Sequence, residues 1–75
     1  MIRITNPKGK TQVHTEESYE KLLWQFAESK MMDIWCQKHH LIPIYIHQGE
    51  QILNKMVVES FLEAFNYKVE KNYEN

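Results

Sequence analysis

One segment in the C-terminal third limits the folds open to this chain. Between Ile52 and Phe65 lie Ile52, Leu53, Met56, Val57, Val58, Phe61, Leu62, Ala64 and Phe65 at helical spacing. The polar residues Lys55, Glu59 and Glu63 fall on one narrow stripe. At 100° per residue the apolar arc spans roughly 240°, against the ≳100° of an ordinary surface helix. A helix over 49–65 must therefore be covered on two sides, and one small sheet covers only one. The second cover is another helix of the chain, a second copy, or another protein.

The chain has 75 residues, which allows one domain, 1–75. Such a chain buries only roughly 60% of its unfolded surface. Yet 43% of its residues are hydrophobic and 12% aromatic, with two glycines and two prolines, the composition of a folded chain. The bulk of Trp24, Phe26, Trp35, Phe61 and Phe65 strains what a small core can hide, and dimerisation or a partner is the common remedy. A net charge of −1 argues against a dedicated polyanion binder. The single cysteine, Cys36, cannot form an internal disulfide, which sets aside the disulfide-stapled secreted class and fits a reducing cytoplasm. No apolar run approaches the ~18 to 20 residues of a membrane span. The opening MIRITNPKGK has no apolar stretch of the kind a signal peptide needs. A cytoplasmic protein without membrane contact is expected.

Gly9-Lys10-Thr11 has the look of the end of a phosphate-binding loop. A Walker A loop needs a second glycine five positions earlier, and Ile4 stands there. Asn6-Pro7-Lys8-Gly9 instead matches a type I turn, with Asn bonding the backbone, Pro presetting φ and Gly closing. Ile2 and Ile4 alternate with Arg3 and Thr5 before it, and Val13 supplies the apolar position after it. Residues 1–14 read as a β-hairpin.

Helix 1 is read over 15–40. Thr15 suits its N-cap, and Glu16 and Glu17 suit the positive end of the helix dipole. Tyr19, Leu22, Leu23 and Phe26 then form one stripe, whereas Met31, Ile34 and Trp35 form another, rotated by roughly 100°. The helix either bends or breaks near Ser29-Lys30 or passes from one packing surface to another, and the first is favoured. Leu41 to His47 alternates like a strand, with Pro43 marking an edge or a start. Gly49 and Glu50 open helix 2 over 49–65, and Asn66 suits its left-handed C-cap. The tail, 66–75, is polar, although Tyr67 and Val69 could add a short strand. The expected fold is a small α+β domain of order β-β-α-β-α. Its antiparallel sheet holds the hairpin and one further strand, with a core of Ile2, Ile4, Val13, Leu22, Leu23, Phe26, Ile44, Leu53, Val57 and Phe61.

Four chemistries compete with plain structural roles. Cys36, His40 and His47 have ligand types zinc accepts, with Cys36 and His40 one helical turn apart. No paired metal-ligand spacing accompanies them. Cys36 with a histidine, or Asp33 or Glu50 with one, could serve catalysis, but nothing fixes them in a pocket. Neither enzymatic activity nor a cofactor is expected. Arg3, Lys8 and Lys10 make the first fourteen residues basic, so a small nucleic-acid-associated regulator is the alternative reading. Against it, Glu16, Glu17 and Glu20 would repel a phosphate backbone, and no helix carries a groove-reading row.

Protein binding is the favoured function. Trp24, Trp35 and Tyr45 are of types enriched in binding hot spots, and Val58, Leu62 and Phe65 belong to the surplus apolar arc. The expected protein is a non-enzymatic interaction module, an inhibitor or regulator of another protein, or a homodimer. Its composition, rich in Lys, Glu, Asn, Ile and Tyr and poor in Ala and Gly, fits the AT-rich genomes of many Gram-positive bacteria and their phages. Small accessory proteins of phages and mobile elements often act by binding and blocking a host protein.

Overall fold

The computed structural model describes residues 1–72. Its elements are β1 (Ile2–Thr5), β2 (Thr11–His14), α1 (Glu16–Ala27), α2 (Lys30–His39), β3 (Ile44–His47), β4 (Glu50–Leu53), α3 (Lys55–Ala64) and β5 (Lys68–Glu70). The fold is a small α+β arrangement with antiparallel strands, as expected. It differs from the expectation in having two sheets, of order β2-β1-β5 and β3-β4, whereas the first helix divides near Ser29 as favoured.

The opening turn forms as its residues dictate. Gly9 N–H donates to the Asn6 carbonyl at 2.9 Å, and Asn6 Oδ1 accepts from the Lys8 and Lys10 amides at 2.9 Å each. Gly9 sits at φ 87°, in the region that favours glycine. This three-residue loop, a type I turn followed by a left-handed residue, pairs Ile2 with His14 and Ile4 with Gln12. Val13 therefore lies opposite Arg3, on the outer face, and is exposed rather than in the core.

The chain breaks where the apolar phase shifts. Ser29 has extended backbone angles, φ −76° and ψ 153°. Its Oγ donates to the Phe26 carbonyl at 2.7 Å and accepts from the Met32 amide at 3.2 Å, so one hydroxyl ends α1 and caps α2. At the far end of α2, His40 adopts φ 58°, and Leu41 N–H bonds back to the Cys36 carbonyl at 2.9 Å. This is the left-handed stop that glycine usually supplies. Asn66 does the same for α3, at φ 66°, with Tyr67 N–H on the Leu62 carbonyl at 2.8 Å.

Two boundaries are corrected. Residues 49–54 are not the start of a helix, because Gln48 and Gly49 both take positive φ, 50° and 80°, and turn the chain into a hairpin. That pair of angles is the type I′ pattern, whose twist matches two antiparallel strands. The strand at 44–47 therefore pairs with β4, not with the opening hairpin. The third strand of the first sheet is β5, from the tail, which pairs with β1 through Arg3 with Glu70, Ile4 with Val69 and Thr5 with Lys68.

Ile52 and Leu53 thus leave the helical arc, and α3 needs less cover. Val57, Val58, Phe61 and Leu62 of α3 are buried in one core with Tyr19, Leu23 and Ala27 of α1, Met32 and Cys36 of α2, and Ile2 and Ile4 of β1. Leu23, Met32, Val58 and Leu62 are fully enclosed. The two covers that α3 requires come mainly from inside the chain.

Candidate interaction surfaces

The ends of α1 and α3 and the middle of α2 meet in a cluster of rings. Phe61 is central. Its ring centroid lies 4.5 Å from Phe65, 5.6 Å from Trp35 in an edge-on contact, and 6.2 Å from Phe26. Phe26 in turn meets Tyr67 edge-on at 5.5 Å. The two edge-on contacts place a ring edge against a ring face, as aromatic quadrupoles favour. The rings do not close over one another. They leave a groove of about 270 Å³ walled by Phe26, Phe61, Phe65 and Tyr67, with Ser29, Lys30 and Met31 at its mouth. Met31 is 57% exposed, and Ile34, one turn along α2, 59%.

The second surface is the β3–β4 hairpin. Its base is anchored by Leu53, which is buried, and Ile44, which is half-buried. Further along, Ile46 is 66% exposed, and Ile42 and Tyr45 are also open. An exposed run with so many large apolar side chains is uncommon on an isolated small domain.

The expected binding residues divide between these surfaces and the interior. Trp35 and Phe65 belong to the ring cluster, and Tyr45 to the hairpin. Trp24 is half-buried beside Glu17, Glu20 and Lys21 on the opposite side of α1 from Phe26's neighbours. Val58 and Leu62 are fully enclosed and present nothing to a partner, because α1 and α2 already cover that side of α3. Phe26, Met31 and Tyr67 complete the groove and lie outside the expected binding set. Tyr67 carried a local signal, an aromatic just past a helix stop, but its ring partners come from distant segments.

The alternative sites do not assemble. Cys36 is buried with its Sγ 3.5 Å from Met32 Sδ, and burial, assisted by the nearby Asp33 charge, pushes its thiol pKa up. That opposes the thiolate a metal or a nucleophile would need. His40 ends α2 through its backbone and is exposed, and His47 is exposed on β3 opposite Glu50. Among the described residues no group of three or more His, Cys, Asp or Glu stands together as ligands. Arg3 lies on the outer sheet face, where it bonds the Glu70 carboxylate, while Lys8 and Lys10 stand at the exposed turn. The three do not form one basic row. Among the described residues no helix is long and apolar enough to cross a membrane. No protein-family model, curated protein or solved structure matches the chain.

Proposed function

We propose that this chain is a non-enzymatic interaction module that takes a bulky apolar side chain of another protein into the aromatic groove, and that it inhibits or regulates that protein. The observation that carries the reading is the groove itself, walled by rings and rimmed by Lys30 and the exposed Met31. A volume of about 270 Å³ suits a leucine, phenylalanine or tryptophan anchor, and anchors of this kind dominate the energetics of interfaces. Lys30 at the mouth favours a carboxylate beside the anchor. The target segment is therefore an aromatic or aliphatic residue flanked by an acid. Encoded by a phage or mobile element, such a module would meet its target in the cytoplasm of the host.

The test places a photo-reactive benzoylphenylalanine at position 31, at the groove mouth, and at position 25, on an exposed part of α1 away from it. After irradiation in a bacterial lysate, a discrete protein adduct should form at position 31 and be absent at position 25. It should weaken when Lys30→Glu reverses the rim charge. No adduct at position 31, or the same adducts at both positions, would sink the reading.

A further inference from the structure

We propose that β3 pairs antiparallel with β3 of a second copy, about a twofold axis at Tyr45, joining two hairpins into one continuous sheet. This surface is separate from the aromatic groove and goes beyond the function proposed for it.

The main-chain register decides which groups face outward. Asn54 N–H donates to the Pro43 carbonyl at 2.8 Å, one position beyond the Ile44–Leu53 pair, and extends the ladder. Hydrogen-bonded and non-bonded pairs alternate along an antiparallel ladder. Pro43, Tyr45 and His47 therefore turn their polar groups toward β4. Ile44 and Ile46 turn theirs to the open edge. Pro43, which would ordinarily blunt an edge strand, has its missing N–H on the β4 side, so it leaves the outer row intact.

The second copy is favoured because this edge complements itself. With the axis at Tyr45, Ile44 falls opposite the second copy's Ile46, and each such pair can exchange both of its main-chain bonds. The side chains of Ile44 and Ile46 share a face and meet those of the other copy, which covers the 66% of Ile46 that is open. Tyr45 meets Tyr45 on the opposite face. From Leu41 to Ile46 the strand has no ionised side chain, so two copies approach without like-charge repulsion. Proteins that keep an edge to themselves usually guard it with charge, a bulge or a covering element, and β3 carries no charged guard. The β4 edge does carry Glu50 and Gln51, which disfavours further strands and closes the assembly at a pair. A two-stranded hairpin is marginal alone in water, and pairing supplies the neighbours it lacks.

Two measurements decide it. The unsubstituted chain at about 100 μM, where a micromolar dimer is saturated, should sediment as a dimer. Ile46→Lys, at an open position, should keep the helical circular dichroism and weaken the dimer at least ~10-fold. In parallel, Tyr45→Cys should cross-link to its own copy under mild oxidation. The axis places these positions in a non-bonded pair with Cα atoms roughly 4.5–5.5 Å apart, within disulfide reach. Ile46→Cys should not, because its copy lies diagonally beyond that reach. Cys36 is buried and does not compete. A monomer at that concentration, a dimer that survives Ile46→Lys, cross-linking through position 46 as readily as 45, or this edge pairing with another protein's strand would each overturn the proposal. Its failure would leave the position-31 adducts untouched, so the two readings fall separately.

Discussion

The Tyr19 hydroxyl donates to Glu59 Oε2 across 2.5 Å, tying the first turn of α1 to the middle of α3. Lys71 reaches the same oxygen at 2.9 Å from just beyond β5. One carboxylate thus joins two helices and the end of the sheet. Tyr19 is buried and Glu59 half-buried, so water cannot easily replace the bond. Tyr19→Phe should cost about 1.5–3 kcal/mol, the range for a hydrogen bond to a charged group. Urea denaturation followed by helical circular dichroism measures it.

The same pair sets a dependence on pH. Burial works to raise the Glu59 carboxyl, but the bonds from Tyr19 and Lys71 outweigh it and hold the pKa below 4.5. Its folded pKa lies below its unfolded one, so its stabilisation is present above the unfolded pKa and is lost as pH falls through the folded value. Glu70 acts in the same direction through its bond from Arg3. Tyr19 is raised well above its ordinary 10.0, first by burial and then by Glu59. Its contribution holds below pH 10.0 and declines as pH rises toward the folded value. The thermal midpoint should be flat between about pH 5 and 9 and fall on both sides. In Tyr19→Phe the alkaline fall should shrink; an unchanged one would assign it to another group.

Ser29→Ala removes a hydroxyl that serves two helices. The loss should be about 1 kcal/mol, the usual value of an N-cap, with the added release of the Phe26 carbonyl. Ser29→Asp should recover the cap, since it accepts from the Met32 amide, but not the donated bond. Thermal midpoints of the two variants separate the two roles.

The β3–β4 turn is built with a residue that does not favour it. Gln48 holds φ 50° without the local bonding that makes Asn tolerant of this region. Gln48→Asn should stabilise the protein by a few tenths to about 1 kcal/mol. Gly49→Ala should destabilise by about 1 kcal/mol through backbone strain alone, since a methyl there would meet nothing within 4 Å. Chemical denaturation midpoints give both signs.

The packing of α3 divides neighbours sharply. Leu62 is fully enclosed and Met56 is 79% exposed. Leu62→Ala should cost about 2–5 kcal/mol, and Met56→Ala should stay within about 0.5 kcal/mol. Equal effects would mean that α3 faces its neighbours differently.

What the sequence made legible was local. The first turn could be read because Asn6, Pro7 and Gly9 each supply one requirement of it within four residues. The break near Ser29 could be read because two apolar stripes were out of phase. The second hairpin was hidden, because Gln48-Gly49 lacks the usual asparagine and Ile52-Leu53 continued a helical pattern by coincidence. β5 was half legible: Tyr67 and Val69 suggested a short strand, but its place in the sheet was hidden, because Val69 gains meaning only opposite Ile4, far away in the chain. The interaction surfaces divided in the same way. Trp35, Tyr45 and Phe65 stood out as residue types, whereas the groove needs Phe26 brought up to Phe65 and Tyr67 from a distant part of the chain. Val58 and Leu62 looked available only because the helices that cover them could not be placed in advance.

The position of β1 between β2 and β5 gives the chain an order of assembly. Its bonds to β2 close a loop of three residues, Pro7 to Gly9, and can form as soon as residues 1–14 leave the ribosome. Its bonds to β5 join Arg3 to Glu70 and close nearly the whole chain. Loop-closure entropy makes the second step the slower of the two. Until it occurs, the side of β1 that faces β5 is an open edge, and closing it brings Arg3 to Glu70.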